Sequence, residues 1–194
     1  MEIFEKMKGF LLEPSKTFDG VKKESLGEAF KYFLVPLVIG SLLSAIVVGV
    51  VTGMIAGLLG SLWFGGLGPL AGLAGGGVGA IVYFIYMIIV GIVAIFVGGL
   101  WMHIWVYLLG GRKGLSQTIK ALMYGATPSL LLSWIPIINF IGVIWSIVLD
   151  ILGIKKLQEM TTGRAIVAFL VAIIVPAIIV FFLIMSMMVV SRPF

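Results

Sequence analysis

Residues 32–111 contain no Asp, Glu, Lys or Arg. No soluble domain of this size can hide an uncharged, apolar run of that length. About 20 apolar residues cross roughly 30 Å of hydrocarbon, so this run holds room for more than one membrane span. Composition agrees. Of the 194 residues, 61% are hydrophobic and 11% charged, against about 45–50% and about 25% in an ordinary soluble domain. The expected fold class is therefore an all-α integral membrane protein.

Charged residues, prolines and glycines divide the chain into five expected spans, near residues 32–59, 78–109, 116–134, 137–156 and 164–190. They form a bundle of five transmembrane helices with a short amphipathic N-terminal segment and a short outer tail, 191–194. The first helix is expected to start at Leu26. Ser25 followed by Glu28 has the spacing of a capping box, in which hydroxyl and carboxylate satisfy two orphan amides reciprocally. Pro128 lies inside the third span. Pro136 suits the first turn of the fourth, and Pro176 marks a kink in the fifth.

Lys and Arg then fix an orientation. Twelve of the thirteen fall in the N-terminal segment, around 112–120 and around 155–164, leaving Arg192 alone on the other side. Basic residues favour the cytoplasmic side, so the chain is expected in the cell membrane, with a cytoplasmic N-terminus and the C-terminus outside. The first 31 residues carry twelve charges, and no cleavable signal peptide is expected. Within this segment Ile3, Phe4, Met7, Phe10 and Leu11 recur at helical spacing until Pro14. It is expected to lie on the membrane surface, or against the underside of the bundle.

Candidate sites are few. The chain has no cysteine and one histidine, which excludes disulfides, thiolate chemistry, metal clusters and any multi-His metal centre. No metal, cofactor or nucleic acid is expected, and neither HExxH nor GxSxG occurs. The nine glycines of 60–79 lack the strand and Lys-Ser/Thr of a phosphate loop and suggest a flexible or re-entrant outer loop. Gly49, Gly53 and Gly57 recur every four residues, a spacing that lets helix backbones approach, within one bundle or between two copies.

Ionisable residues inside spans are costly and mark functional sites. His103 and Asp150 are expected at similar depth, roughly 7–10 Å inside the basic boundary. Tyr107, one turn from His103, and Tyr124 complete a candidate polar cluster. Its bland alternative is a satisfied hydrogen-bonded pair. Trp101, Trp105 and Trp145 fall near the basic interface, and Trp63 and Trp134 near the outer one, as an aromatic belt.

The order of several short motifs resembles the Yip1 domain family of five-span membrane proteins. Pro14-Ser15-Lys16-Thr17-Phe18 is similar to the P-x-x-x-F signature of prokaryotic-type members. Gly110-Gly111, then Tyr124-Gly125-Ala126-Thr127-Pro128, resemble the family's Gly-Gly loop and A-Y-x-x-x-P helix. Ile135-Pro136-Ile137, Gly142, Ile144-Trp145 and Gly153 follow, and Thr161-Thr162-Gly163-Arg164-Ala165 is similar to the polar turn before the last span. The resemblance implies a five-helix bundle with a cytoplasmic N-terminus. In eukaryotic members it implies vesicle trafficking and Rab-type GTPases, but their N-terminal motifs do not occur here.

The sequence expectation is a non-enzymatic scaffold or adaptor bound to the lipid bilayer. Lys22, Lys23, Arg112, Lys113, Lys155 and Lys156 would contact anionic lipids or a membrane protein partner, and self-association through the glycine face would be open to it. The alternative is a small ion, proton or solute transporter or channel subunit using His103 and Asp150.

Overall fold

The structure, a computed structural model, describes residues 2–190, with side chains through residue 187. The expected tail 191–194, with Arg192, lies outside the described residues. Among the described residues there are eight α-helices: α1 Ile3–Leu12, α2 Pro14–Val21, α3 Leu26–Phe64, α4 Gly68–Leu108, α5 Leu115–Gly125, α6 Thr127–Leu132, α7 Pro136–Leu157 and α8 Thr162–Val190. Among the described residues, three helical stretches are long and apolar enough to cross a membrane, Leu26–Leu108, Pro136–Leu157 and Thr162–Met187. The first turns back on itself through a 3-10 turn, Gly65–Leu67.

Local chemistry sets several of these limits. Ser25 accepts from the Glu28 amide while the Glu28 carboxylate accepts from the Ser25 amide, so α3 opens on a complete capping box. Pro136 stands in the first turn of α7, where its missing N–H costs no helical hydrogen bond. The expected third span is not one helix. It breaks at Ala126 into α5 and α6, because Pro128 is placed in the first turn of the second piece.

The glycine-rich stretch 60–79 is helical rather than a loop, so the first two spans run on to Phe64 and back to Gly68. Its glycines serve helix-helix contact. A Cβ on Gly53 would lie 3.0 Å from the Gly72 carbonyl oxygen, and one on Gly76 would lie 2.7 Å from that of Gly49. Gly57 faces Gly68 and Gly72 in the same way. The repeat at Gly49, Gly53 and Gly57 thus packs within one chain. Backbones this close gain dispersion and weak Cα–H···O contacts that offset the poor helix propensity of glycine.

The α6–α7 turn meets α3 only half-way along. Ser44 and Ser133 hydroxyls are 3.1 Å apart, and Gly40 packs on the Leu130 carbonyl. The molecule therefore has two tiers. In the lower tier, α5, α6 and α7 pack with the first half of α3 and the last part of α4; in the upper, the hairpin continues without them. Trp63 and Trp134, expected in one outer belt, are separated along α3 by about 28 Å, since Trp134 sits at the level of Ser44.

Candidate functional site

The polar chemistry collects at the base of the lower tier, where α1 and α2 close the bundle. Met7, Phe10, Phe18 and Val21 are buried in the main core, and fully burying each such side chain contributes about 1.5–3 kcal/mol. Phe10 stacks on Tyr124 with ring centroids 5.0 Å apart and meets Phe18 edge-on at 4.9 Å. Tyr32 joins from α3, 5.1 Å from Tyr124. The inner face of the N-terminal segment thus rests on the bundle, not on lipid. Phe4 and Leu12 point away from it, 71% and 69% exposed.

Glu24, in the α2–α3 connection, is the hub. Its carboxylate pairs with Lys6 of α1 and accepts from the Tyr124 hydroxyl of α5. Lys120, one turn before Tyr124, is buried and donates to the backbone carbonyls of Lys22 and Glu24. It therefore satisfies carbonyls left open beyond the end of α2, where a cation is favoured. A buried charge is costly unless it is paired or hydrogen-bonded: Lys6 and Glu24 pair with each other, and Lys120 is held by the two carbonyls. Thr127 donates to the Tyr124 carbonyl and so accepts from the Tyr32 hydroxyl at 2.9 Å. Lys6, Glu24 and Lys120 were not among the expected site residues. The signal in the sequence was Lys120 itself, the only charge between Lys113 and Asp150.

A second network lies beside the first. Gln158 donates to the Gly114 carbonyl and the Thr118 hydroxyl, and accepts from the Lys113 amide. His103 Nδ1 is 2.8 Å from the Thr118 hydroxyl, and its ring is 6.2 Å from Tyr107. Glu159 bridges Lys22 and Lys113, joining the α2–α3 connection to the α4–α5 loop. These two lysines hold the Glu159 carboxyl below its ordinary range.

The four residues expected to form one polar cluster are distributed over three places. His103 and Tyr107 belong to the Gln158 network, and Tyr124 to the Glu24 hub. Asp150 packs against Gly125, its Oδ1 buried and without a hydrogen-bond partner. His103 and Asp150 do not pair among the described residues. The reason is topological: α5 packs between α4 and α7, so equal depth does not bring the two together.

The six expected lipid-contact cations also divide. Lys22 and Lys113 are tied to Glu159, and Lys156 to Asp19 at 2.7 Å. Arg112 covers the Tyr107 ring at 3.9 Å. Lys23 and Lys155 have no ion pair among the described residues, and Lys8 joins them.

The model of the Yip1 domain matches residues 8–185. The chain belongs to the Yip1 domain family. No curated protein and no solved structure matches it. The match begins within α1 and runs into α8, so in this Yip1 protein α2, Glu24, Lys120 and Tyr124 lie inside the family domain, while Lys6 and Met7 precede the matched residues. The Yip1 family is a family of membrane proteins, as the apolar helices require.

Proposed function

We propose that this Yip1 protein is a non-enzymatic membrane scaffold whose base faces the cytoplasm of the cell and binds membrane proteins at an anionic lipid surface. One observation carries the reading. The N-terminal segment spends one apolar face on closing the bundle and presents a second, Phe4 and Leu12, beside exposed Lys8. Lys23 and Lys155 add cations with no internal partner among the described residues. A basic residue near an anionic membrane surface contributes about 1 kcal/mol, and the apolar pair supplies a contact that charge alone does not. The paired cations Lys22, Lys113 and Lys156 serve the fold in this reading.

The test is mild cross-linking in native membranes followed by affinity purification and mass spectrometry of recovered proteins and lipids. Replacing Phe4 and Leu12 with Ser, and Lys8 and Lys23 with Gln, changes only exposed residues of the base, and the half-buried Lys155 is replaced with Gln in a separate variant. Loss of a reproducible partner in the first of these variants, with the bundle still folded, supports the scaffold. Recovery of the same partners, or of bulk lipid alone with the unaltered chain, refutes it.

A further inference from the structure

The two tiers do not fit the same layer. At about 1.5 Å per residue, the 22 residues of α7 measure about 33 Å, close to the roughly 30 Å core of a typical bilayer. The uncharged part of α3, residues 32–64, measures about 50 Å. Tilting it by about 40°, the upper end of what spans adopt, still leaves a depth of about 38 Å. Larger tilt is opposed by the lower tier, where α3 packs against α5 and α6.

The surface of the upper tier also says what covers it. Met54, Leu58, Leu62 and Trp63 on α3, with Leu70 and Leu73 on α4, are all more than 60% exposed. They point in different directions around the hairpin. A water-soluble protein partner covers a patch with a polar rim; this surface has no rim. Its hydroxyls turn inward, Thr52 donating to the Val48 carbonyl and Ser61 to that of Gly57. A surface that is apolar on all sides, with its polar groups satisfied by its own backbone, is suited to lipid.

We infer that acyl chains cover the outward surface of the α3–α4 hairpin up to its turn, and that the protein prefers bilayers with a core thicker than about 30 Å. Long-chain lipids supply that thickness. The hairpin is then a gauge of membrane thickness, able to sort the protein toward thick regions of membrane.

The test is reconstitution of the full chain into phosphatidylcholine vesicles with monounsaturated chains of about 14 to about 24 carbons, which brackets a core of about 30 Å. The unfolding midpoint rises with chain length and is highest in the longest lipids. Deleting 54–60 and 68–74 shortens the hairpin by about 10 Å with little change of helical phase, and moves the optimum to shorter chains. The chain has no cysteine, so Leu58→Cys gives a single reporter independent of that deletion. Its labelling by a water-soluble maleimide slows about ten-fold or more from the shortest to the longest lipid as acyl chains cover it. An optimum of the full chain at ordinary chain length, or labelling independent of chain length, overturns the proposal. So does a midpoint that follows the protein-to-lipid ratio instead, which makes a second copy the cover.

Discussion

The Asp150 carboxylate occupies the notch left by the missing side chain of Gly125: a methyl group on Gly125 would overlap Asp150 Oδ1 and lie 3.1 Å from the Asp150 amide nitrogen. Gly125 is the last residue of α5. The contact therefore sets how close α5 comes to α7 just where α5 breaks into α6. Gly125→Ala is expected to destabilise by about 1–3 kcal/mol, the usual cost of overpacking a core. Combining it with Asp150→Ala removes the overlapping oxygen and restores part of the loss, since the backbone contact remains. A thermal-unfolding series of the two single variants and the double in detergent measures this. Additive losses refute the notch.

Glu24 ties α1 to α5, and the geometry makes it the most sensitive charge at the base. Glu24→Gln leaves the buried Lys6 ammonium without a counter-charge, and breaking a buried pair on one side costs about 3–5 kcal/mol. Lys6→Met removes the other partner and leaves Glu24 with Tyr124 alone. The expected result is release of α1 from the bundle, seen as rapid limited proteolysis between residues 2 and 20 while the spans stay protected. The double variant Lys6→Met/Glu24→Gln is less damaged than the sum of the two, because neither charge is then stranded. Equal proteolysis of all variants and the parent chain would remove Glu24 from this role.

Much of this fold is written locally and can be read from the sequence. Ser25 and Glu28 announce the start of α3, and Pro136 that of α7, because caps and first turns depend on a few neighbouring residues. The membrane character follows from 32–111 alone. Contacts between distant segments are less legible. Glycines that line two helices of one hairpin have the same composition as glycines of a loop, and only the facing registers of 49–57 and 68–76 distinguish them. Equal depth suggested a pair between His103 and Asp150, but depth carries no information about which helix lies between. The Glu24 hub was missed because its partners, Lys6 and Tyr124, are far apart in the chain. A basic residue near a boundary is also already explained by topology.

Glu159 offers a pH dependence with a definite sign. It takes φ +53° at the end of α7, a backbone region non-glycine residues seldom occupy, and both of its carboxylate oxygens meet lysines. Lys113 first and Lys22 next lower its folded value below the ordinary 4.5. A depressed carboxyl contributes stability that is present above the unfolded value and is lost as pH falls through the folded one. The difference in unfolding midpoint between the parent chain and Glu159→Gln should therefore be constant at neutral pH. It should shrink as pH drops below about 4.5 and vanish once the folded carboxyl is protonated. A difference that persists at low pH would assign the effect of Gln to contacts of the uncharged side chain instead of the ionic bridge.

Two adjacent glycines test the hairpin most sharply. Gly76 faces α3, where a Cβ would lie 2.7 Å from the Gly49 carbonyl oxygen and 3.1 Å from the Gly53 Cα, both backbone atoms that cannot rotate away. Gly77, its neighbour, has nothing within 4 Å of the same position. Gly76→Ala must push α4 off α3 and should cost about 1–3 kcal/mol. Gly77→Ala meets no obstacle and gains helix propensity, so it should be neutral or stabilising by up to about 1 kcal/mol. The two variants share composition, hydropathy and position along the membrane normal, so lipid effects cancel between them. Unfolding midpoints measured side by side in one lipid decide the matter. If both variants lose stability equally, or neither does, the two helices are not held together through their glycines.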